Sequence, residues 1–324
     1  MQKLSFFVEK KLQHHGICDA SGAVALDDNS FIVANDEDNH LRVYSANESG
    51  VPLKIIEIND YFKNNPKKKE VDIEGATELN GRIYWITSHG RNKDGERKSR
   101  RHQFFANKIT NSEQLTLERV GNSYTQLVFK DMFQDERLKK YELEQAEELA
   151  PKEEGGLNIE GLTATPNGEL LIGFRNPIPR GKALILPLIN PLDLIQKDEN
   201  EVQASFGNPI ELDLGGLGIR SIEYWRDYKI YLIIAGAYDG SDEFALYWWS
   251  GNCQDTPQKI ESINLPSDFR PEAVLFYPNR KNQLQILSDD GAIIRLDGKE
   301  CKEIKDENHP EKYFRSLWIT VSES

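Results

Sequence analysis

Apolar and polar positions recur along this chain in one order: a short apolar run, a tight turn, a second apolar run, then a polar loop. The first copy is Asp19-Ala-Ser-Gly-Ala-Val-Ala-Leu26, followed by Ser30-Phe-Ile-Val-Ala34 and Asn35-Asp-Glu-Asp38. The second is Asp72-Ile-Glu-Gly-Ala-Thr-Glu-Leu79, then Arg82-Ile-Tyr-Trp-Ile-Thr87 and Ser88-His-Gly-Arg91. The third is Asn158-Ile-Glu-Gly-Leu-Thr-Ala-Thr165, then Glu169-Leu-Leu-Ile-Gly-Phe174 and Arg175-Asn176. Two looser copies begin at Arg220-Ser-Ile-Glu-Tyr-Trp225 and Arg270-Pro-Glu-Ala-Val-Leu-Phe276. Asn80-Gly81 and Asn167-Gly168 supply the turns, because both residue types tolerate positive φ.

A third strand-like run follows each pair: His40–Tyr44, Gln103–Ala106, Ala183–Leu186, Phe244–Trp249 and Ala292–Leu296. Lys54–Ile58, Ile210–Leu214 and Lys259–Leu265 read as fourth strands. Four-stranded units repeated around an axis are propeller blades, which leave only short sheet edges. Counted from residue 22 to 75, 161, 224 and 273, the units start 53, 86, 63 and 49 residues apart. The expected fold is therefore an all-β propeller forming one domain over 1–324, with five blades, or six if the longest interval conceals another. That interval holds a charged helical segment near 130–148, expected as a solvated excursion. Ring closure is expected to pair Phe6-Phe7-Val8 with the segment near Ser316–Val321.

Composition narrows the function classes. At 38% hydrophobic residues with 14 Phe, 12 Tyr and 5 Trp, the chain can bury a core, which excludes disorder. The net charge of −13 disfavours nucleic acid and anionic membrane as partners, and serves solubility equally well. Cys18, Cys253 and Cys301 are far apart and odd in number, which argues against a disulfide framework and a structural zinc. The first residues lack an apolar core of signal-peptide length, and no run reaches the ~18 apolar residues of a membrane helix. The simplest expectation is a cytoplasmic protein.

The repeat also places chemistry. The first strand of a blade lies nearest the axis and the second runs antiparallel to it. The start of the first and the end of the second therefore open on one face. Asp19, Glu74, Glu160, Glu223 and Glu272 fall at the starts; Asp36, His89, Arg91 and Arg175 fall at the ends. Carboxylates gathered around a channel repel one another unless a cation offsets them. Oxygen ligands suit Ca²⁺ or Mg²⁺ better than zinc, so Asp19, Asp36, Glu74, Glu160, Glu223 and Glu272 form the candidate metal set. Arg91 and Arg175 are candidates to neutralise an anionic small molecule. His89, in Ser88-His-Gly-Arg91, is the candidate for proton transfer.

Blander readings stand beside these. Gly22, Gly75 and Gly161 fit close strand packing near an axis. The acids could cap backbone donors or hold a purely structural ion, and His89 could be a hydrogen-bonded loop residue. The chain has no phosphate-binding GxxxxGK[ST], GxSxG elbow or HExxH.

Asp19-Ala-Ser-Gly22 with Asn35-Asp-Glu-Asp38, Asp72-Ile-Glu-Gly75 with Ser88-His-Gly-Arg91, and Asn158-Ile-Glu-Gly161 resemble the DUF3616 proteins over nearly the whole chain. That resemblance implies a family without implying an activity. More distantly, the repeated Glu-Gly strand starts resemble the esterase-like phytases and other calcium-dependent propeller hydrolases. Those relatives imply a metal and an ester at the mouth. The expectation is a metal-dependent hydrolase of a phosphoester or other ester; the alternative is a non-catalytic propeller that binds a ligand or a protein.

Overall fold

The computed structural model describes residues 4–111 and 115–323. Five four-stranded antiparallel sheets surround one channel. Blade 1 runs Ala20–Ala25, Ser30–Asn35, His40–Ser45 and Lys54–Glu57 from the axis outward. Blade 2 runs Ile73–Leu79, Arg82–Thr87, Phe104–Asn111 and Thr116–Tyr124. Blade 3 comprises Asn158–Ala164, Leu170–Asn176, Ala183–Leu188 and Ile210–Leu212. Blade 4 comprises Gly218–Trp225, Ile230–Gly236, Phe244–Trp249 and a two-residue outer strand, Gln258–Lys259.

Blade 5 is built from both ends of the chain. Pro271–Phe276, Gln283–Ser288 and Tyr313–Glu323 are followed, outermost, by Leu4–His15. Phe6 pairs with Val321, Phe7 with Thr320 and Val8 with Ile319, as the ring-closure expectation required. The third strand of this blade is therefore Tyr313–Glu323. Ala292–Leu296 does not supply it: Ile294–Leu296 instead forms a small hairpin with Lys299–Glu300. The sequence pattern misled because that run is short and apolar in both settings.

Buried side chains fill the gaps between neighbouring sheets, with Trp85, Trp225 and Trp249 among the largest fully buried residues. The interval between blades 2 and 3 adds no blade. It holds a π-type turn over Leu127–Met132, a 3₁₀ turn over Lys139–Tyr141 and a helix over Leu143–Glu148. This segment is no solvated excursion. Leu127, Val128, Met132, Leu138, Tyr141, Leu143 and Ala146 are buried against blades 2 and 3. The many charges hid an apolar stripe distributed over three separate helical turns.

Cys18 and Cys301 form a disulfide, with Cα atoms 5.9 Å apart across a sequence separation of 283 residues. Their distance in sequence argued against pairing, but ring closure sets the first blade beside the last. Cys253 is free and exposed. The cytoplasmic expectation rested in part on unpaired cysteines and loses that support, since disulfides persist in oxidising surroundings. Among the described residues, no helix is long and apolar enough to cross a membrane.

Candidate functional site at the channel mouth

The first residue of each inner strand pairs with the last of the second strand: Ala20 with Asn35, Ile73 with Thr87, Asn158 with Asn176, Gly218 with Gly236, and Pro271 with Ser288. Both sets of chain ends thus open at one mouth.

Close to that mouth every inner strand carries a bulge. The register passes from Ile73 to Gly75, Ile159 to Gly161, Ile219 to Ser221 and Pro271 to Ala273 while the partner strand advances one residue. Glu74, Glu160, Arg220 and Glu272 are the extra residues. In blade 1 the shift falls between Ala20 and Ala23, across Ser21-Gly22. A bulged residue leaves the ladder and its side chain is re-aimed. One unpaired position from each blade is thereby placed at the axis. The glycines beside the bulges allow the strands to close up. A Cβ on Gly75 would lie 2.9 Å from the Glu160 carbonyl oxygen, and one on Gly161 would lie 2.8 Å from Ile219 Cγ2.

The oxygens of Glu74, Glu160 and Glu272 lie within 4.8 Å of one another. Two arginines reach two of them. Arg175 Nη1 donates to Glu160 Oε1 at 2.7 Å and Arg175 Nε to the Ala237 carbonyl at 3.0 Å. Arg175 is itself a bulge residue on the second strand of blade 3, where the register skips from Asn176 to Phe174. Arg220 Nη2 bonds Glu272 Oε2, and its Nε stands 3.8 Å from Glu160 Oε2. Glu160 Oε2 is buried and makes no hydrogen bond. Among the described residues Glu74 makes no ion pair within 4.0 Å. Burial, then Asp72, Glu160 and Asp36, push its carboxyl well above the ordinary range.

A second group, Asp19, Asp36 and Glu37, also converges within 4.8 Å. The backbone explains its position: Asp19 bridges to Asp289, and the Asp290 N–H donates to the Cys18 carbonyl at 2.9 Å. Burial, then Asp289 and Glu37, raise the Asp19 carboxyl; Lys302 and Lys312 pull the other way. Burial, then Asp19 and Asp289, raise Asp36. Asp72 reaches about 6 through burial, against the opposing pull of Arg101, which donates to it at 2.9 Å.

Five of the six expected metal residues therefore reach the mouth, divided between two groups. Glu223 does not join them. It lies three residues further along the same strand than Arg220, which takes the position expected for it. The segment contains both Ile219-Arg220 and Ile222-Glu223, and matching the carboxylate selected the wrong pair. An isoleucine precedes both, so it does not separate them; the small residue after the bulge, Gly75, Gly161, Ser221 and Ala273, does, since Tyr224 follows Glu223.

His89 and Arg91 also stand apart. His89 is fully buried at positive φ, its Nδ1 2.8 Å from the Thr87 carbonyl, with its ring edge-on to His102. Burial lowers its pKa to about 4, leaving a neutral ring near neutrality. Arg91 Nε donates to the Glu147 carbonyl at 2.5 Å and its Nη1 to Gly95 at 3.0 Å, tying the loop to the 143–148 helix. Neither contacts the carboxylate groups. Arg175 alone of the three expected catalytic residues lies among them.

The geometry resembles known propellers in outline only. Glutaminyl cyclase of Myxococcus xanthus matches with a TM-score of 0.50 at 10% identity, covering 100% of this chain and 99% of that one. The PQQ-bound aldose sugar dehydrogenase of Streptomyces coelicolor matches at 0.47 and 11% identity, with 99% of each chain covered. At 10% identity the likeness to the cyclase shows the fold alone. No curated protein matches the sequence. The family model described as "Protein of unknown function (DUF3616)" matches residues 19–119 and 102–283, and the chain belongs to that family.

Proposed function

We propose that the mouth holds a hard divalent cation, Ca²⁺ or Mg²⁺, and that the protein is a metal-dependent hydrolase of an anionic ester, with phosphoesters the first class to test. The observation that carries this reading is the buried, unbonded Glu160 Oε2 within an all-oxygen group that includes the unpaired Glu74. Carboxylate oxygens so gathered fit hard cations. Glu74, Glu160 and Glu272 would hold the ion, and Asp19 and Asp36 with Glu37 offer a second set.

A cation there would polarise the ester and make water more acidic. The chain's own residues supply the rest. Asp36, whose carboxyl is raised above the ordinary range by burial and by its acidic neighbours, is the side chain there suited to take up and release a proton. Arg175 and Arg220 now neutralise Glu160 and Glu272. Once those carboxylates serve an ion, the two guanidinium groups can turn their donors to an anionic substrate, bidentately for phosphate. The likeness of the Glu-Gly strand starts to the esterase-like phytases supports the same choice of substrate class.

One observation favours the alternative, a non-catalytic binding propeller: two of the three ring carboxylates already have arginine partners. Melting temperatures in EDTA and after adding Ca²⁺ or Mg²⁺ separate the two. A ligand at a hundredfold excess over its dissociation constant adds about 2.7 kcal/mol. For 324 residues the unfolding entropy is about 0.7 kcal/mol/K, so the expected rise is about 4 °C. Glu160→Gln should remove the rise together with ion-dependent hydrolysis of p-nitrophenyl phosphate. No shift with either ion would overturn the metal reading.

A further inference from the structure

The channel has a second opening. At the far ends of the inner strands a cavity of about 500 Å³ is lined by Ala25, Ile83, Val274 and Phe276, with Glu223 on its wall and Glu78 also lining it. Glu223 also lines a small internal void of about 10 Å³ shared with Glu74, Glu160 and Glu272. That void has room for about one water. Glu223 therefore lies between the two, at the inner end of the funnel.

The hydroxyls of Thr163 and Thr77 are hydrogen-bonded to Glu223. Each hydroxyl oxygen already accepts a backbone N–H: Tyr224 N donates to Thr163 Oγ1 at 3.1 Å, and Ala164 N to Thr77 Oγ1 at 3.0 Å. The Thr163 hydroxyl also has the Ala164 carbonyl as an acceptor at 3.5 Å, while the Thr77 proton is left to point at the Glu223 carboxyl, which when ionised is an acceptor. An acceptor at the apex of an apolar funnel selects a ligand that donates. Glu78, whose charge acts on Glu223, is also acidic, as are Glu74, Glu160 and Glu272 around the void, so a positive ligand is favoured over an anion. Arg226 is the cation among the lining residues, and Asp227, next to it in the chain, also lines the cavity.

We infer that this funnel is a second ligand site, built for a primary ammonium group on a short apolar chain, with the ammonium seated on Glu223 and the chain against Ala25, Ile83, Val274 and Phe276. The proposal does not require the ion at the mouth, although Glu223 lines the same small void as Glu74, Glu160 and Glu272. Burial holds the Glu223 carboxyl at about 8, so an ammonium must displace its proton at neutral pH. Affinity should therefore fall as pH drops below 8, approaching tenfold per unit.

The test is calorimetric titration of the full chain with n-butylammonium at pH 6 and pH 9, with n-pentanol as an uncharged control of similar shape. The expected result is saturable binding at pH 9, at least tenfold weaker at pH 6, and none by pentanol. Glu223→Gln keeps the shape and should weaken binding at least tenfold. Ala25→Trp fills the funnel and should abolish binding even if Glu223→Gln misfolds. The Ca²⁺ or Mg²⁺ melting shift, read separately, should survive Ala25→Trp. No butylammonium binding at pH 9, equal binding by Glu223→Gln, or equal binding of pentanol would each overturn the inference without touching the reading of the mouth.

Discussion

Removing the Cys18–Cys301 bond is a sharp perturbation because it leaves the blades themselves intact. The bond closes a loop with a sequence separation of 283 residues. The chain-entropy relation gives about 5–6 kcal/mol for that length at 25 °C, and measured native bridges usually contribute about 2–5 kcal/mol. With an unfolding entropy of about 0.7 kcal/mol/K, the wild-type protein should melt roughly 3–8 °C lower once reduced. Cys18→Ala should show a similar drop and then no further response to reductant. Cys301→Ala added to it should cost little more, since the shared bond is already gone. Differential scanning calorimetry with and without reductant reads these shifts. A thiol titration of denatured, unreduced protein should find one group, Cys253, and three after reduction. Three titratable thiols without reduction, or a melting temperature indifferent to reductant, would refute the reasoning.

Three other outcomes follow from the same geometry. Glu223 has its folded pKa raised to about 8 from an ordinary 4.5, so the folded state holds a proton that the unfolded state releases across that window. Stability should fall as pH rises from about 4.5 to 8 on this account. Glu223→Gln should gain on wild type across that window, by up to about 4–5 kcal/mol before discounting for partial solvent access, as read by melting curves at pH 5 and pH 9. Gly161→Ala forces a Cβ to 2.8 Å from Ile219 Cγ2 and should cost about 1–3 kcal/mol in denaturant titration. Deleting residues 1–12 removes most of the outermost strand of blade 5, which pairs with Tyr313–Glu323 along its length; calorimetry should then show a broadened, lowered transition rather than the single cooperative one of the full chain.

Much of the architecture was readable because propeller blades are local. Each hairpin is fixed by a turn such as Asn80-Gly81 and by the alternation on either side of it. The closure of Phe6–Val8 on Ile319–Val321 followed from a general need to seal the ring. The misreadings have one character: they concern facts set by three-dimensional neighbours. The Cys18–Cys301 pair is invisible without the closed ring. The burial of Leu138, Tyr141 and Leu143 depends on which blades the insertion lies over. At the site, the carboxylates of Asp19, Asp36, Glu74, Glu160 and Glu272 were located by composition and position. The exchange of Arg220 for Glu223 turned on a bulge, which breaks the alternation and is marked only by the small residue after it, Ser221 in this blade. His89 was legible as a loop histidine, but its loss of contact with water was not.

The five bulges have a consequence for how such a mouth can change. Each one contributes a side chain that no strand ladder needs, so the residue there is free of the demands of the core. Ser21, Glu74, Glu160, Arg220 and Glu272 occupy the same structural slot with three different chemistries. The protein thus carries a five-position register whose letters can be exchanged one at a time, by single codon changes, while the frame that presents them stays the same. Descendants of one ancestral ring could in this way diverge in ligand charge long before they diverge in shape.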